Sequence, residues 1–140
     1  MRISFDFDGT LADLGAVQDY CRLLLAHERF EIYIITRRFR AEHPMSTALD
    51  EAAPVHALAR ALGVAAERVV FTDRQYKVDT LNELGIHVHL DDDIVEGMYI
   101  RQSGQGCEFV CTDSTQNPDL RNWRSILDEL LGLPPLQAPW

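Results

Sequence analysis

Short apolar runs that break off on polar residues, each followed by a helix-patterned stretch, constrain this chain to one kind of architecture. Residues 2–8, 32–36, 69–72 and 86–90 read as four strands. Between them lie three helical segments. The first covers 16–29, with Val17, Tyr20, Cys21, Leu24 and Leu25 along one side. The second covers about 50–62, with Pro54 in its first turn and Gly63 at its end; the third covers 77–84 and is stopped by Gly85. Strand and helix in regular alternation predict a parallel sheet covered on both faces, an α/β, doubly wound fold. Further along, 94–101 reads as a short helix, 108–112 as a fifth strand, and 119–131 as an amphipathic helix started by Asn117 and Pro118. Leu120, Trp123, Ile126, Leu127 and Leu130 form the apolar side of that helix. The expected single domain spans 1–132, followed at 133–140 by an irregular tail carrying three prolines.

In such a sheet, ligands bind at the carboxyl ends of the strands. Asp6 and Asp8 follow strand one, Thr36 ends strand two, Asp73 follows strand three, and Asp91, Asp92 and Asp93 follow strand four. If the first strand runs through Phe7, alternation puts Asp6 and Asp8 on one face. Neighbouring carboxylates repel unless a cation or a proton lies between them. Gly9 then lets the backbone turn sharply. The edge reads as a site for a hard metal ion and for carboxylate chemistry.

These motifs resemble those of the haloacid dehalogenase superfamily in its phosphatase branch. Asp6-Phe7-Asp8-Gly9-Thr10 matches the first motif of that family, and Ile34-Ile35-Thr36 resembles the second, an apolar strand ending in a hydroxyl. Lys77, opening a helix upstream of strand four, resembles the third, and Leu90-Asp91-Asp92 the fourth. The resemblance covers about residues 1–95 and implies a three-layer, Rossmann-like core of about five strands. It implies a phosphatase dependent on Mg2+, hydrolysing a phosphomonoester through an aspartyl-phosphate on Asp6. Asp8 would act as general acid and then base, Thr36 would donate its hydroxyl to the phosphate, and Lys77 would offset charge and orient the nucleophile. Metal ligands would come from Asp6, Asp8 and an acid of strand four, either Asp92 or Asp91. Gly9 and Thr10 would border the phosphate. The acid at Asp8 favours phosphatase or phosphotransferase chemistry over dehalogenation.

The gaps from Asp8 to Thr36 and from Thr36 to Lys77 hold no more than a helix and a strand, so no cap domain is expected. An uncovered site suits a phosphorylated macromolecule, a small phosphorylated molecule, or closure by a neighbouring copy of the chain. Arg37, Arg38 and Arg40 follow Thr36, and Arg74 follows strand three, where they would either grip an anionic part of the substrate or form a solvated loop. His87 and His89 alternate on strand four and read as packed core residues. Cys21, Cys107 and Cys111, an odd count without a CxxC pair, read as reduced thiols.

With 46% hydrophobic and 25% charged residues, the composition is that of a globular domain. The net charge of −9 argues against broad binding to nucleic acid or anionic membrane, and admits nucleic acid only as a specific substrate. No apolar run spans a bilayer and no leader is evident, so a cytoplasmic location is the expectation. A nucleotidase or a nucleic-acid 3′-phosphatase would use the same chemistry, and a non-catalytic binding domain would use the same fold.

Overall fold

β-Branched and aromatic residues, buried on both faces, build a five-stranded sheet in which every neighbouring pair is parallel. The strands are β1 (Arg2–Phe5), β2 (Glu31–Thr36), β3 (Val69–Phe71), β4 (Val88–Asp91) and β5 (Glu108–Cys111), in the order β3-β2-β1-β4-β5. The computed structural model describes residues 1–46, 50–117 and 121–134. Five α-helices connect or flank the strands: α1 (Gly15–Leu25), α2 (Ala53–Leu62), α3 (Val78–Leu84), α4 (Ile94–Ser103) and α5 (Trp123–Leu131).

Alternation divides the core in two. Ile3, Phe5, Ile32, Ile34, Val88, Leu90 and Val110 meet α1, α2 and α5 on one face of the sheet. Tyr33 and Ile35 meet Leu81 of α3 and Ile100 of α4 on the other. This is the three-layer, Rossmann-like α/β architecture expected, and among the described residues no inserted domain lies over the strand ends. No helix of the described residues is long and apolar enough to cross a membrane.

Several boundaries differ from the sequence reading. β1 stops at Phe5 instead of running to residue 8. Asp6 is still extended and its amide still bonds Leu90 O at 2.9 Å, but Gly9 at φ +72° winds the chain into a tight loop. Asp8 therefore leaves the sheet, and alternation does not carry both aspartates on one face. α1 ends four residues early because a turn at 27–29 brings Phe30 into the core. α5 begins at Trp123, where the Asn122 side chain accepts from Ser125 N, and not at residue 119. Residues 118–120, including Leu120, and 135–140 of the expected tail lie outside the described residues. α4 inverts the usual pattern: Glu96 is fully buried, while Ile94, Val95, Met98 and Tyr99 face outward.

Candidate active site

Where β1, β2 and β4 end, the acids converge on the protein's only lysine. Lys77 is 2% exposed, and its Nζ lies 2.7 Å from Asp6 Oδ1 and 2.7 Å from Asp91 Oδ2. The residue sits immediately before α3, whose opening turn aims the side chain across the ends of β1 and β4. Asp91 is engaged on both oxygens. Its Oδ2 also faces His89 Nε2 at 2.9 Å, and its Oδ1 accepts Asp93 N at 3.0 Å. Asp92 is turned the other way, toward the β1 loop, where Thr10 Oγ1 lies 3.4 Å from its Oδ1. Thr10 is fully buried and its hydroxyl also lies 3.3 Å from Asp6 Oδ2, so it ties the two acids together.

The sequence-predicted residues divide by position. Asp6, Asp8, Thr36, Arg37, Lys77, Asp91 and Asp92 line one cavity of about 420 Å³, together with Asp93 and Glu96. Gly9 and Thr10 stand beneath Asp92: the Gly9 amide donates to Asp13 Oδ2 at 2.6 Å, and a Cβ at Gly9 would overlap the Asp92 carboxylate. Arg38 lies at the rim, holding Asp8 through Nε and Nη2 at 2.9 and 2.7 Å and stacking over Phe7. Arg40 pairs with Asp73, and Arg74 with Glu51 at 3.0 Å. Asp73 and Arg74 both hold positive φ in the turn after β3, where they receive the loop that follows β2. Arg37 differs from these. It lies over the Tyr76 ring, 4.5 Å from its centroid, donates through Nη2 to Arg74 O at 2.9 Å, and among the described residues has Glu96 Oε1, at 3.9 Å, as its nearest carboxylate.

Glu96 was not singled out by the sequence. Its Oε2 accepts the Lys77 backbone N–H at 3.0 Å, while its buried Oε1 has no hydrogen-bond partner. The available signal is an acid set within the apolar residues of 94–100, four positions after Asp92. Of the two histidines expected in the core, His87 is exposed and His89 is fully buried; the His89 ring meets Ser4 Oγ at 2.6 Å beneath the acids, a contact the sequence does not mark.

Charge is in excess here. Burial and the Asp91 charge push the Asp6 carboxyl up to about 8, with Lys77 opposing. Burial works against the Asp91 charge too, but the His89 hydrogen bond and Lys77 outweigh it and hold Asp91 well below the usual range. Burial raises Asp92 and Glu96 as well. For Asp8 the direction is downward, because the Arg38 hydrogen bonds favour its ionised form. His89 is driven toward the neutral form by burial. Carboxylate oxygens of Asp6, Asp91 and Asp92 lie within 4.8 Å of one another. That donor set, all hard oxygens, is of the kind that holds magnesium, and a divalent cation there would favour the ionised Asp6 that burial and the Asp91 charge oppose.

No family model matches the sequence, and no curated protein matches it. Among solved structures, an uncharacterized protein from Corynebacterium glutamicum ATCC 13032 Kitasato is similar, with a TM-score of 0.62 and 18% identity. The match covers 97% of this chain and 98% of the other, so the two share a fold over nearly their whole lengths.

Proposed function

We propose that this chain is a magnesium-dependent phosphatase of haloacid dehalogenase type, hydrolysing a phosphomonoester through an aspartyl-phosphate on Asp6. The observation that carries the reading is the buried Lys77 bridge between Asp6 and Asp91, at 2.7 Å to each, on the edge of a parallel sheet. A lysine buried at this depth serves packing poorly, whereas beside a carboxylate nucleophile it orients the attacking oxygen and offsets incoming phosphate charge. Asp6 attacks phosphorus as the ester P–O bond breaks, and Asp8 delivers a proton to the departing oxygen. Asp8 then takes the proton of the water that releases phosphate from Asp6. Arg38 holds Asp8 ionised in the resting site, so Asp8 must part from it and take a proton from solvent before it can act as the acid. Thr36, buried at the end of β2, donates its hydroxyl to a phosphate oxygen.

We assign the metal to Asp6, the Asp8 main-chain carbonyl and Asp92. Asp91 is committed to Lys77, His89 and the Asp93 amide, while Asp92 shares Thr10 with Asp6. Bound there, magnesium would supply charge neutralisation for the transferring phosphoryl group.

The test is hydrolysis of p-nitrophenyl phosphate with magnesium and with excess chelator. Turnover should require the cation and vanish in Asp6→Asn, whose amide is a far poorer nucleophile. Unchanged turnover in chelator, or an active Asp6→Asn, contradicts the assignment. A folded wild-type protein inactive on a broad panel of phosphomonoesters favours the non-catalytic alternative.

A further inference from the structure

Beneath the acids, two side chains complete a hydrogen-bonded chain that the proposed chemistry leaves unused. Ser4 and His89 are register partners on β1 and β4. Asp6 and Asp91 stand two positions further along each strand path, so alternation places all four on the face covered by α3 and α4. Ser4 Oγ lies 2.6 Å from His89 Nδ1, and His89 Nε2 lies 2.9 Å from Asp91 Oδ2. Lys77 Nζ then joins Asp91 to Asp6, at 2.7 Å each. A carboxylate only accepts, so Nε2 carries the imidazole proton and Nδ1 receives the Ser4 hydroxyl. Ser4 and His89 are both fully buried on a face otherwise packed by Tyr33 and Ile35. An apolar pair would fill that space without desolvating two polar groups.

We propose that His89, held in one tautomer by Ser4, is a positioning residue that fixes the Asp91 carboxylate and thereby sets where Lys77 Nζ stands against Asp6. With Asp93 N on the other oxygen, Asp91 cannot rotate without breaking its bonds to Lys77, His89 and Asp93 N. The kinetic part of this inference rests on the phosphatase reading; the positional part does not.

The sole lysine makes the position observable. Protein labelled with 15Nζ-lysine carries a single side-chain ammonium resonance, that of Lys77. His89→Leu should shift or broaden that resonance and lower kcat on p-nitrophenyl phosphate about tenfold, with KM held within about twofold. His89→Gln, which keeps an N–H donor toward Asp91, should restore the resonance and most of kcat. A folded His89→Leu protein with the wild-type resonance and wild-type kcat overturns the proposal. So does failure of His89→Gln to recover either quantity. If His89→Leu does not fold, Ser4→Ala removes one hydroxyl and should move the same two readouts in the same direction; no movement overturns the proposal. A resonance that moves in a protein without phosphatase activity supports the positioning and refutes the phosphatase reading alone.

Discussion

Gly9 shows how closely the site is drawn around single atoms. It holds φ +72°, a region costly for a residue with a Cβ, and that Cβ would collide with the Asp92 carboxylate. Gly9→Ala therefore combines about 1–2 kcal/mol of backbone strain with displacement of the acid assigned to the metal. We expect a lower melting temperature and a kcat at least about tenfold lower at saturating substrate. Wild-type kcat in Gly9→Ala would mean that Asp92 does not need its present place. Lys77 makes the complementary point. One lysine in the chain, buried between two carboxylates, can be replaced by arginine only by fitting a larger, planar group into the same gap.

At the scale of elements, the rim loop after β2 is an ion-pair lattice: Arg38 with Asp8, Arg40 with Asp73, Arg74 with Glu51. Arg38 holds Asp8 below its usual value of 3.8, so the folded chain keeps Asp8 ionised where the unfolded chain takes up a proton. The stabilisation is present in full above that value and is lost as pH falls through the lower, folded one. The Asp8 side chain is 58% exposed, so the effect is small and screened by salt. Thermal melts from pH 7 to pH 2 should show Asp8→Asn less stable than wild type near neutrality, with the gap closing in acid and shrinking in salt. A gap that widens in acid contradicts the pairing. The alternation of strands and helices was readable in the sequence because glycine and proline mark the helix ends and apolar runs mark the strands. The acids at strand ends were readable for the same reason. The inversion of α4 was not, because Glu96 is buried by its bond to the Lys77 backbone, a contact between residues 19 apart. The pairing of Arg38 with Asp8 joins residues 30 apart and leaves no local pattern. The roles of Asp91 and Asp92 are separated by strand parity, which gives Asp91 to His89 and Lys77 and turns Asp92 toward Thr10.

For the whole molecule, the sheet edge concentrates negative charge on a chain that is already acidic, at −9. The folded state alone assembles Asp6 and Asp92, so a cation that binds them stabilises folding by mass action. At roughly one hundred times Kd the gain is about 2.7 kcal/mol, several degrees in melting temperature for a domain of this size. Magnesium should raise the wild-type melting temperature and leave Asp92→Asn unchanged; an equal rise in both would place the ion elsewhere. The most direct test of the account is the covalent intermediate itself. Acid quench of the protein during turnover of a 32P-labelled phosphomonoester, followed by peptide mapping, should find label on Asp6 that hydroxylamine releases. Turnover without labelled protein under conditions that trap an acyl phosphate, or label on any residue other than Asp6, would contradict it.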